Sequence, residues 1–381
     1  MNTVDQHSPI LPHYARSLVE LTLEFKVGES DLSSDPLFIS GNIGELGNWK
    51  PDCVELLRIR KGTYRKTVKV PTGKLIEFKV TRGSWSSQAV YGPPPPEVPP
   101  NNLIVTANEP GKYCYSILSW MDKLPRQSDP VLGHIVKHAD MTGCGLRYPR
   151  DVYVWLPPSY YSCSDRYQVV IMHDGQNLFD PQLAHAGIDW GVDETVVQLA
   201  ENEGAREVIV VGISNTPDRM TEYNLFRKPG KSYAAFLQNI LLPFIEENYR
   251  TLIGPKNTAV MGSSMGGLFA FQLAWTFPEV YSMAGCLSTA FWSTNNRIFG
   301  LVEKDCRGHL PLKFYLDTGE YEQPIVEGYD RMRDLLTKKG WREGHDLQSY
   351  FEPGANHSEH AWRNRLHRPF RFFFQQQIAR T

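Results

Sequence analysis

Apolar and polar residues alternate with period two along Val19–Phe25, Tyr64–Val70 and Ile76–Val80, the pattern of strands with one face buried. Turn residues separate these runs and no helical segment of convincing length falls between them. Residues 15–118 are therefore expected to form a small all-β antiparallel sandwich of immunoglobulin-like type. Pro93–Pro96 and Pro99-Pro100 read as a stiff loop before a strand at Leu103–Thr106. Tyr113–Trp120 reads as a connecting strand, and 119–130 as a linker. From Val131 onward the pattern changes. Strand-sized apolar runs (Asp151–Leu156, Tyr167–His173, Glu207–Ile213, Asn257–Gly262, Tyr281–Leu287, Leu312–Asp317, Leu347–Phe351) alternate with helical stretches (Val192–Asn202, Ser232–Tyr249, Met265–Thr276, Ile325–Lys339, Ser358–Gln377). Near-continuous apolar strands belong to a sheet covered on both faces. Residues 131–381 are thus expected to form a doubly wound α/β sheet with an antiparallel early edge.

One stretch organises this second part. Thr258–Met261 reads as the end of a buried strand, and a helical pattern starts at Met265 with no room for a loop. Between them stands Gly262-Ser263-Ser264-Met265-Gly266. This is G-x-S-x-G in a strand–turn–helix context, the nucleophile elbow of α/β-hydrolases. The residues two before and two after the serine face each other closely, where only glycine leaves room. Ser263 is the neighbouring alternative, but Met261 and Met265 flank it where glycines are needed, so Ser264 is the expected nucleophile. The helix behind it points unpaired N–H groups at the reaction centre, so the Met265 N–H can serve as an oxyanion donor.

The chain has 381 residues, 41% hydrophobic and 22% charged, with a net charge of -2. That length suits one large domain with a small one. No basic tract is present, so nucleic acid is not an expected partner. No stretch approaches the length of a membrane span. Met1–Pro12 lacks the basic-then-apolar order of a secretory signal, and a cytoplasmic protein is expected. Cys53, Cys114, Cys144, Cys163, Cys286 and Cys306 show neither close pairing nor metal-ligand spacing. They read as reduced, small buried apolar residues. No metal and no organic cofactor are expected.

A serine nucleophile needs a base, and the base an orienting carboxylate; in this fold the acid follows the serine and the histidine comes last. His309, His345, His357, His360 and His367 all lie downstream. His357 falls in the loop between the last strand and the last helix, where the carboxyl edge of the sheet presents its histidine. His345 lies before the strand, and His360 and His367 sit in the helical run. For the acid, three carboxylates compete: Asp317 at a strand end, Glu320, and Glu322 after the Gly319 turn. Asp317 can instead hold the turn, while Glu322 can reach back to the histidine.

Two resemblances sharpen these expectations. Met172–Asp180 (MHDGQNLFD), Gly262–Gly267 (GSSMGG), Leu316–Glu322 (LDTGEYE) and His357–Trp362 (HSEHAW) together resemble the putative-esterase family, which includes esterase D, feruloyl esterases, enterochelin esterases and the antigen-85 acyltransferases. The resemblance spans about residues 131–378. It implies Ser264 as nucleophile, His357 as base and Glu322 as acid. It also implies a second oxyanion donor from the loop at Gly175 and Gln176, an ester as the small-molecule substrate, and no cofactor. Asn215, Arg219 and Glu222-Tyr223 echo a family stretch; pocket-lining competes there with an Arg–Glu pair that holds a loop. Trp190 and Asp193 divide likewise between core or helix-cap roles and the pocket.

Farther upstream, Ser40–Trp49 (SGNIGELGNW), with Phe78-Lys79 and Trp85 beyond it, resembles starch-binding carbohydrate-binding modules of the glucoamylase type. This implies Trp49, Trp85 and Lys79 as carbohydrate-binding residues and an α-glucan (starch or glycogen) as partner, since a flat sugar face stacks on indole. Trp85-Ser86 and Asn101-Asn102 depart from the Trp-Glu and Asn-Arg of many such modules. The competing reading is that Trp49 closes a turn over the core of an inert or dimerising appendage. For the whole chain, a serine carboxylic ester hydrolase is expected. An acyltransferase using the same acyl-enzyme and a non-catalytic glucan-binding protein are the alternatives.

Overall fold

The computed structural model describes residues 17–28, 36–91, 102–123 and 130–376. Pro93–Pro96, Pro99-Pro100, Asn101, Gln377, Met1–Pro12 and most of the expected linker lie outside these residues. The chain divides into two compact units, Met1–Leu124 and Pro125–Thr381.

The first unit holds two four-stranded sheets. In one, Leu18–Val27 lies between Thr63–Pro71, its antiparallel neighbour, and Gly111–Ile117; Leu57–Arg60 completes the sheet. The other runs Val54–Glu55, Phe38–Gly41, Leu75–Thr81, Leu103–Thr106, antiparallel throughout. Alternate residues of each strand point inward. Leu21, Leu23 and Phe25 from one sheet and Ile39, Ile76, Phe78 and Val105 from the other share a single core.

Two expectations are corrected here. The sandwich is not wholly antiparallel: Leu18–Val27 and Gly111–Ile117 run parallel, which is feasible because the rest of the unit connects them. Tyr113 therefore sits in a strand of this sheet, not in a connector. Nor does a linker begin at 119. Ser119–Trp120 pairs with Ala89–Val90, and Trp120, only 1% exposed, belongs to the core.

In the second unit eight strands form one sheet: β1 (His134–Met141), β2 (Arg150–Leu156), β3 (Gln168–His173), β4 (Val208–Ile213), β5 (Thr258–Ser263), β6 (Met283–Leu287), β7 (Lys313–Gly319) and β8 (Leu347–Glu352). Their order is β1-β2-β4-β3-β5-β6-β7-β8. β2 is antiparallel to both its neighbours, and every other pair is parallel. Val169, Ile171, Val260, Ala284 and Phe314 bury one face against helices Lys228–Phe236, Leu242–Asn248, Met265–Thr276 and Ile325–Lys338. Val170, Met172, Ala259, Met261 and Tyr315 bury the other against helices Val192–Glu203, Glu359–Arg365 and His367–Phe374. With both faces covered, the strands need no polar alternation, which is why they read as apolar runs.

From β3 the chain crosses to β4 on one side and later returns to β5 on the other, so the winding reverses at β3. The carboxyl ends of β3 and β5 meet at this switch point, the place where open α/β sheets bind ligands. The loop after β3 is packed hard onto β4. A Cβ on Gly175 would lie 2.3 Å from the Gly212 carbonyl carbon and the Ile213 nitrogen, and backbone cannot give way as a side chain can.

Gly175→Ala is expected to lower unfolding free energy by about 3 kcal/mol through overpacking. Gly300→Ala, within helix Arg297–Glu303, meets no atom within 4 Å and is expected to raise it by up to about 1 kcal/mol. Urea unfolding of the two variants checks the contrast.

Candidate active site

Ser264 joins β5 to helix Met265–Thr276 with φ 54° and ψ -116°, a strained conformation for a side chain with a Cβ. A Cβ on Gly262 would come within 2.7 Å of the Gly266 carbonyl carbon, so the glycine of the motif is a steric necessity. The turn is pinned by Ser264 N–H donating to Leu287 C=O (2.9 Å) and Ala290 N–H donating to Ser264 C=O (3.0 Å). Ser263 ends the strand, 1% exposed, while Ser264 is half-buried in the turn. Met265 is the first residue of the helix, and the opening N–H groups of a helix lack intrahelical partners.

The loop after β3 abuts this helix start. A Cβ on Gly266 would lie 3.3 Å from His173 Cβ and 3.5 Å from Asp174 Oδ2. Asp174 itself is left-handed (φ 61°) and opens the single turn Gly175–Asn177, which carries the expected donors Gly175 and Gln176. The buried Asp174 carboxylate holds this loop. It receives both Arg219 Nε and Nη2 at 2.8 Å, Asn215 Nδ2 at 2.6 Å and the Tyr223 hydroxyl at 3.3 Å. Burial pushes its pKa up, but the Arg219 guanidinium outweighs that and holds it below the usual carboxylate range. Gln176 Oε1 accepts the Asn215 N–H at 3.2 Å. Arg219 thus pairs with Asp174 rather than with Glu222, whose carboxylate takes buried Arg150 at 2.8 Å.

Glu322 and His357, the expected acid and base, meet at the same edge of the sheet. Glu322, fully buried, places Oε2 3.2 Å from His357 Nδ1. Its Oε1 accepts from the Ser288 hydroxyl (2.9 Å), Gly319 N–H (3.1 Å) and Arg365 Nη2 (3.3 Å). Burial alone would raise the Glu322 pKa, but these donors and His357 bring it below its ordinary value. His357 precedes Ser358, whose hydroxyl caps helix Glu359–Arg365 by accepting the Ala361 N–H, and its ring stands edge-on to Trp362 at 4.9 Å. Among the described residues no hydrogen bond joins Ser264 Oγ to His357. In unliganded enzymes such contacts are commonly long and tighten with substrate.

Asp317 lies at the end of β7, accepts Ser288 N–H at 2.9 Å and faces Arg365; it does not touch His357. His309 and His345 both contact Asp346, while His360 and His367 bond Asn364. Trp190 is buried against Trp362. Asp193 accepts Leu132 N–H at 2.8 Å and caps no helix. Asp189, Asp193 and Glu194 come within reach of one ion, but Arg363 already pairs with two of them. The expectation of buried thiols fails: all six cysteines are free and only Cys286 is buried. The others occupy loops and an outward strand position.

Sequence reasoning missed Ser288, Arg365, Arg150 and the anchoring role of Asp174. Arg365 had a readable signal, since it lies on the inward stripe of its helix with Ala361 and Trp362. Ser288, at φ 43° after β6, had none.

In the first unit, Trp49 and Trp85 come together from separate turns, both half-buried, with ring centroids 6.4 Å apart and planes tilted by 44°. Trp49 is left-handed (φ 61°), and its N–H donates to Gly41 C=O at 2.9 Å. Asn42 ties this turn to the next strand by donating to Leu75 C=O and accepting Glu77 N–H. Lys79 Nζ donates to Gln88 Oε1 at 3.0 Å, just beyond the Trp85 turn.

The strand order, the elbow and the histidine on the last loop define an α/β-hydrolase. Residues 145–373 match the family model described as "Putative esterase", and the chain belongs to that family; it is an esterase by family. Residues 20–95 match "Starch binding domain". A Bacillus subtilis relative, the uncharacterized protein YbbA, is 25% identical over 156 residues, which are 37% of this chain and 57% of YbbA. A second uncharacterized B. subtilis protein, YjcH, is 23% identical over 215 residues, 54% of this chain and 82% of YjcH. Among solved structures, a ferulic acid esterase is similar with a TM-score of 0.53 and 18% identity, over 64% of this chain and 99% of its own. The enterobactin esterase FES from Shigella flexneri is similar with a TM-score of 0.52 and 14% identity, over 95% of both chains. No helix among the described residues is long and apolar enough to cross a membrane.

His173, fully buried at the end of β3 against Tyr223, Tyr233 and Phe269, gives the site a pH signature. Burial pushes it down to about 4. As pH falls below about 6.5, the unfolded chain takes a proton that the native His173 refuses. Stability therefore declines until pH reaches the native value, by on the order of 3 kcal/mol. His173→Asn is expected to flatten this decline, measured as urea-unfolding free energy from about pH 7 to pH 4.5.

Proposed function

We propose that the protein is a serine carboxylic ester hydrolase acting through Ser264, His357 and Glu322 by way of an acyl-enzyme. The observation that carries this reading is the Glu322–His357 contact at the sheet edge where Ser264 occupies its strained elbow. With Nδ1–H donated to Glu322, His357 Nε2 is left as the acceptor. It takes the proton of Ser264 Oγ as the oxygen attacks the ester carbonyl. The N–H groups of Met265 and of the Gly175–Gln176 turn face the developing oxyanion. His357 then gives its proton to the leaving alcohol, and in the second half-reaction draws one from the water that releases the acid. Glu322 keeps the imidazole in the productive tautomer and stabilises the imidazolium.

A second element of the proposal concerns the first unit. The paired, half-exposed Trp49 and Trp85, with Lys79 bonded to Gln88 just beyond the Trp85 turn, support binding of an α-glucan, which would hold the esterase near starch or glycogen or an acylated sugar. Two indoles about 6.4 Å apart and mutually tilted suit the curved surface of a helical glucan better than a flat one. Six free thiols, five of them exposed, suit the reducing environment of the cytoplasm.

Hydrolysis of short-chain p-nitrophenyl esters tests the first part. Ser264→Ala is expected to lose at least about a thousand-fold in kcat with circular dichroism unchanged, and Glu322→Gln about a hundred- to ten-thousand-fold. Full activity of Ser264→Ala would refute the mechanism. Product analysis with an added alcohol separates hydrolysis from acyl transfer. For the module, Trp49→Ala is expected to weaken amylose binding about tenfold in a pull-down or titration, and unchanged binding would reject the glucan site.

A further inference from the structure

Behind Glu322 lies a buried cluster that the hydrolytic mechanism does not use. Its centre is Arg365, 0% exposed, which projects from helix Glu359–Arg365 toward three carboxylates. Arg365 Nε is 2.9 Å from Asp317 Oδ2, an ion contact without hydrogen-bond alignment. Nη2 is 3.3 Å from Glu322 Oε1, and Nη1 is 3.3 Å from Glu352 Oε2. A single cation therefore faces three carboxylates and lies nearest to Asp317, which does not touch the base.

The hydrogen bonds order the cluster further. The Ser288 hydroxyl accepts from Trp362 Nε1 at 2.8 Å and from Arg365 Nη2 at 2.5 Å. With both lone pairs engaged, its own proton can go only to Glu322 Oε1, at 2.9 Å. Glu322 Oε1 is thus filled by neutral donors and one long contact to the guanidinium, and Oε2 is left to His357. Asp317 Oδ1 takes the Ser288 N–H, which fixes the carboxylate that pulls Arg365 away.

We propose that Asp317 is a positioning residue for the esterase reaction: it draws the Arg365 charge off Glu322, so that the triad acid presents its negative charge to the imidazolium formed in the transition state. The proposal rests on the triad reading above. If Arg365 paired fully with Glu322, the pair would be near neutral and the imidazolium would lose its counter-charge. The remaining titratable groups that face the cluster are the Tyr315 hydroxyl and Cys286 thiol beside Asp317, and Arg368 beside Tyr315. Burial raises both Tyr315 and Cys286. Burial also pushes Asp317 up, against the pull of Arg365.

The test is the pH profile of kcat/KM for p-nitrophenyl acetate in the full chain. Asp317→Asn keeps the shape and the Ser288 contact but removes the charge. Its acid limb is expected to move down by about one pH unit, because the base holds its proton less firmly when Arg365 swings onto Glu322. Glu352→Gln, at a 26%-exposed side chain that tolerates change, is expected to move the limb the same way by less, and it serves if Asp317→Asn does not fold. A purely structural role would lower kcat/KM at every pH and leave the limb in place. Limbs unmoved in the folded variants would overturn the proposal and leave the triad standing. Full activity in Ser264→Ala would overturn the triad reading, and this proposal with it.

Discussion

A sheet covered on both faces has only its ends free for polar chemistry. Everything that reacts in the second unit follows from that constraint. The faces of β3 through β7 are filled by Val, Ile, Met and aromatic side chains under helices, so polar side chains can gather only where the strands stop. The Glu322–His357 pair stands beyond the ends of β7 and β8, and Ser264 stands where β5 parts company with β3 in the winding order. There the chain must turn at once from strand to helix, and the clearance between Gly262 and Gly266 sets how tightly it can do so. A serine at a positive φ is costly by about 1–3 kcal/mol, and the packing of helix Met265–Thr276, apolar on every side, holds it there.

The loops at this edge are stiffened by buried charge rather than by more hydrophobic contact. Arg219 clasps Asp174, Arg150 clasps Glu222 beneath stacked Tyr233, and Arg365 gathers three carboxylates. A buried ion pair adds little net stability over an apolar substitute, yet removing one partner costs about 3–5 kcal/mol. Such pairs make loop positions all-or-none. The turn after β3 is anchored through Asp174, and the turn that carries Glu322 through Ser288 and Arg365. Placement of both turns is thereby tied to the integrity of the core behind them.

Much of this was legible in the chain. Apolar runs such as Val208–Ile213 announce a two-sided sheet, and the glycines around Ser264 announce a turn that tolerates no Cβ. The loop position of His357 separated it from four other histidines. What could not be read were properties of packing between distant segments. That Glu322 rather than Asp317 faces His357 depends on how the chain bends after β7. That Arg219 chooses Asp174 over the nearer Glu222 depends on Arg150 arriving from β2 to occupy Glu222. The five exposed cysteines were misjudged because composition favours burial and says nothing of their loops. In the first unit, strand alternation was plain, but the parallel seam was hidden, since neighbours in a sheet need not be neighbours in sequence.

That seam has a consequence for where the first unit can be cut. The strand Leu18–Val27 is guarded on one side only by Gly111–Ile117, and the core is closed from below by Trp120. Both lie beyond residue 95, where the match to the starch-binding family ends. A fragment trimmed to that similarity would leave what remains of this strand with a bare edge, an open template for pairing between molecules. The compact unit is longer than its resemblance, and it includes the short turn Met121–Lys123.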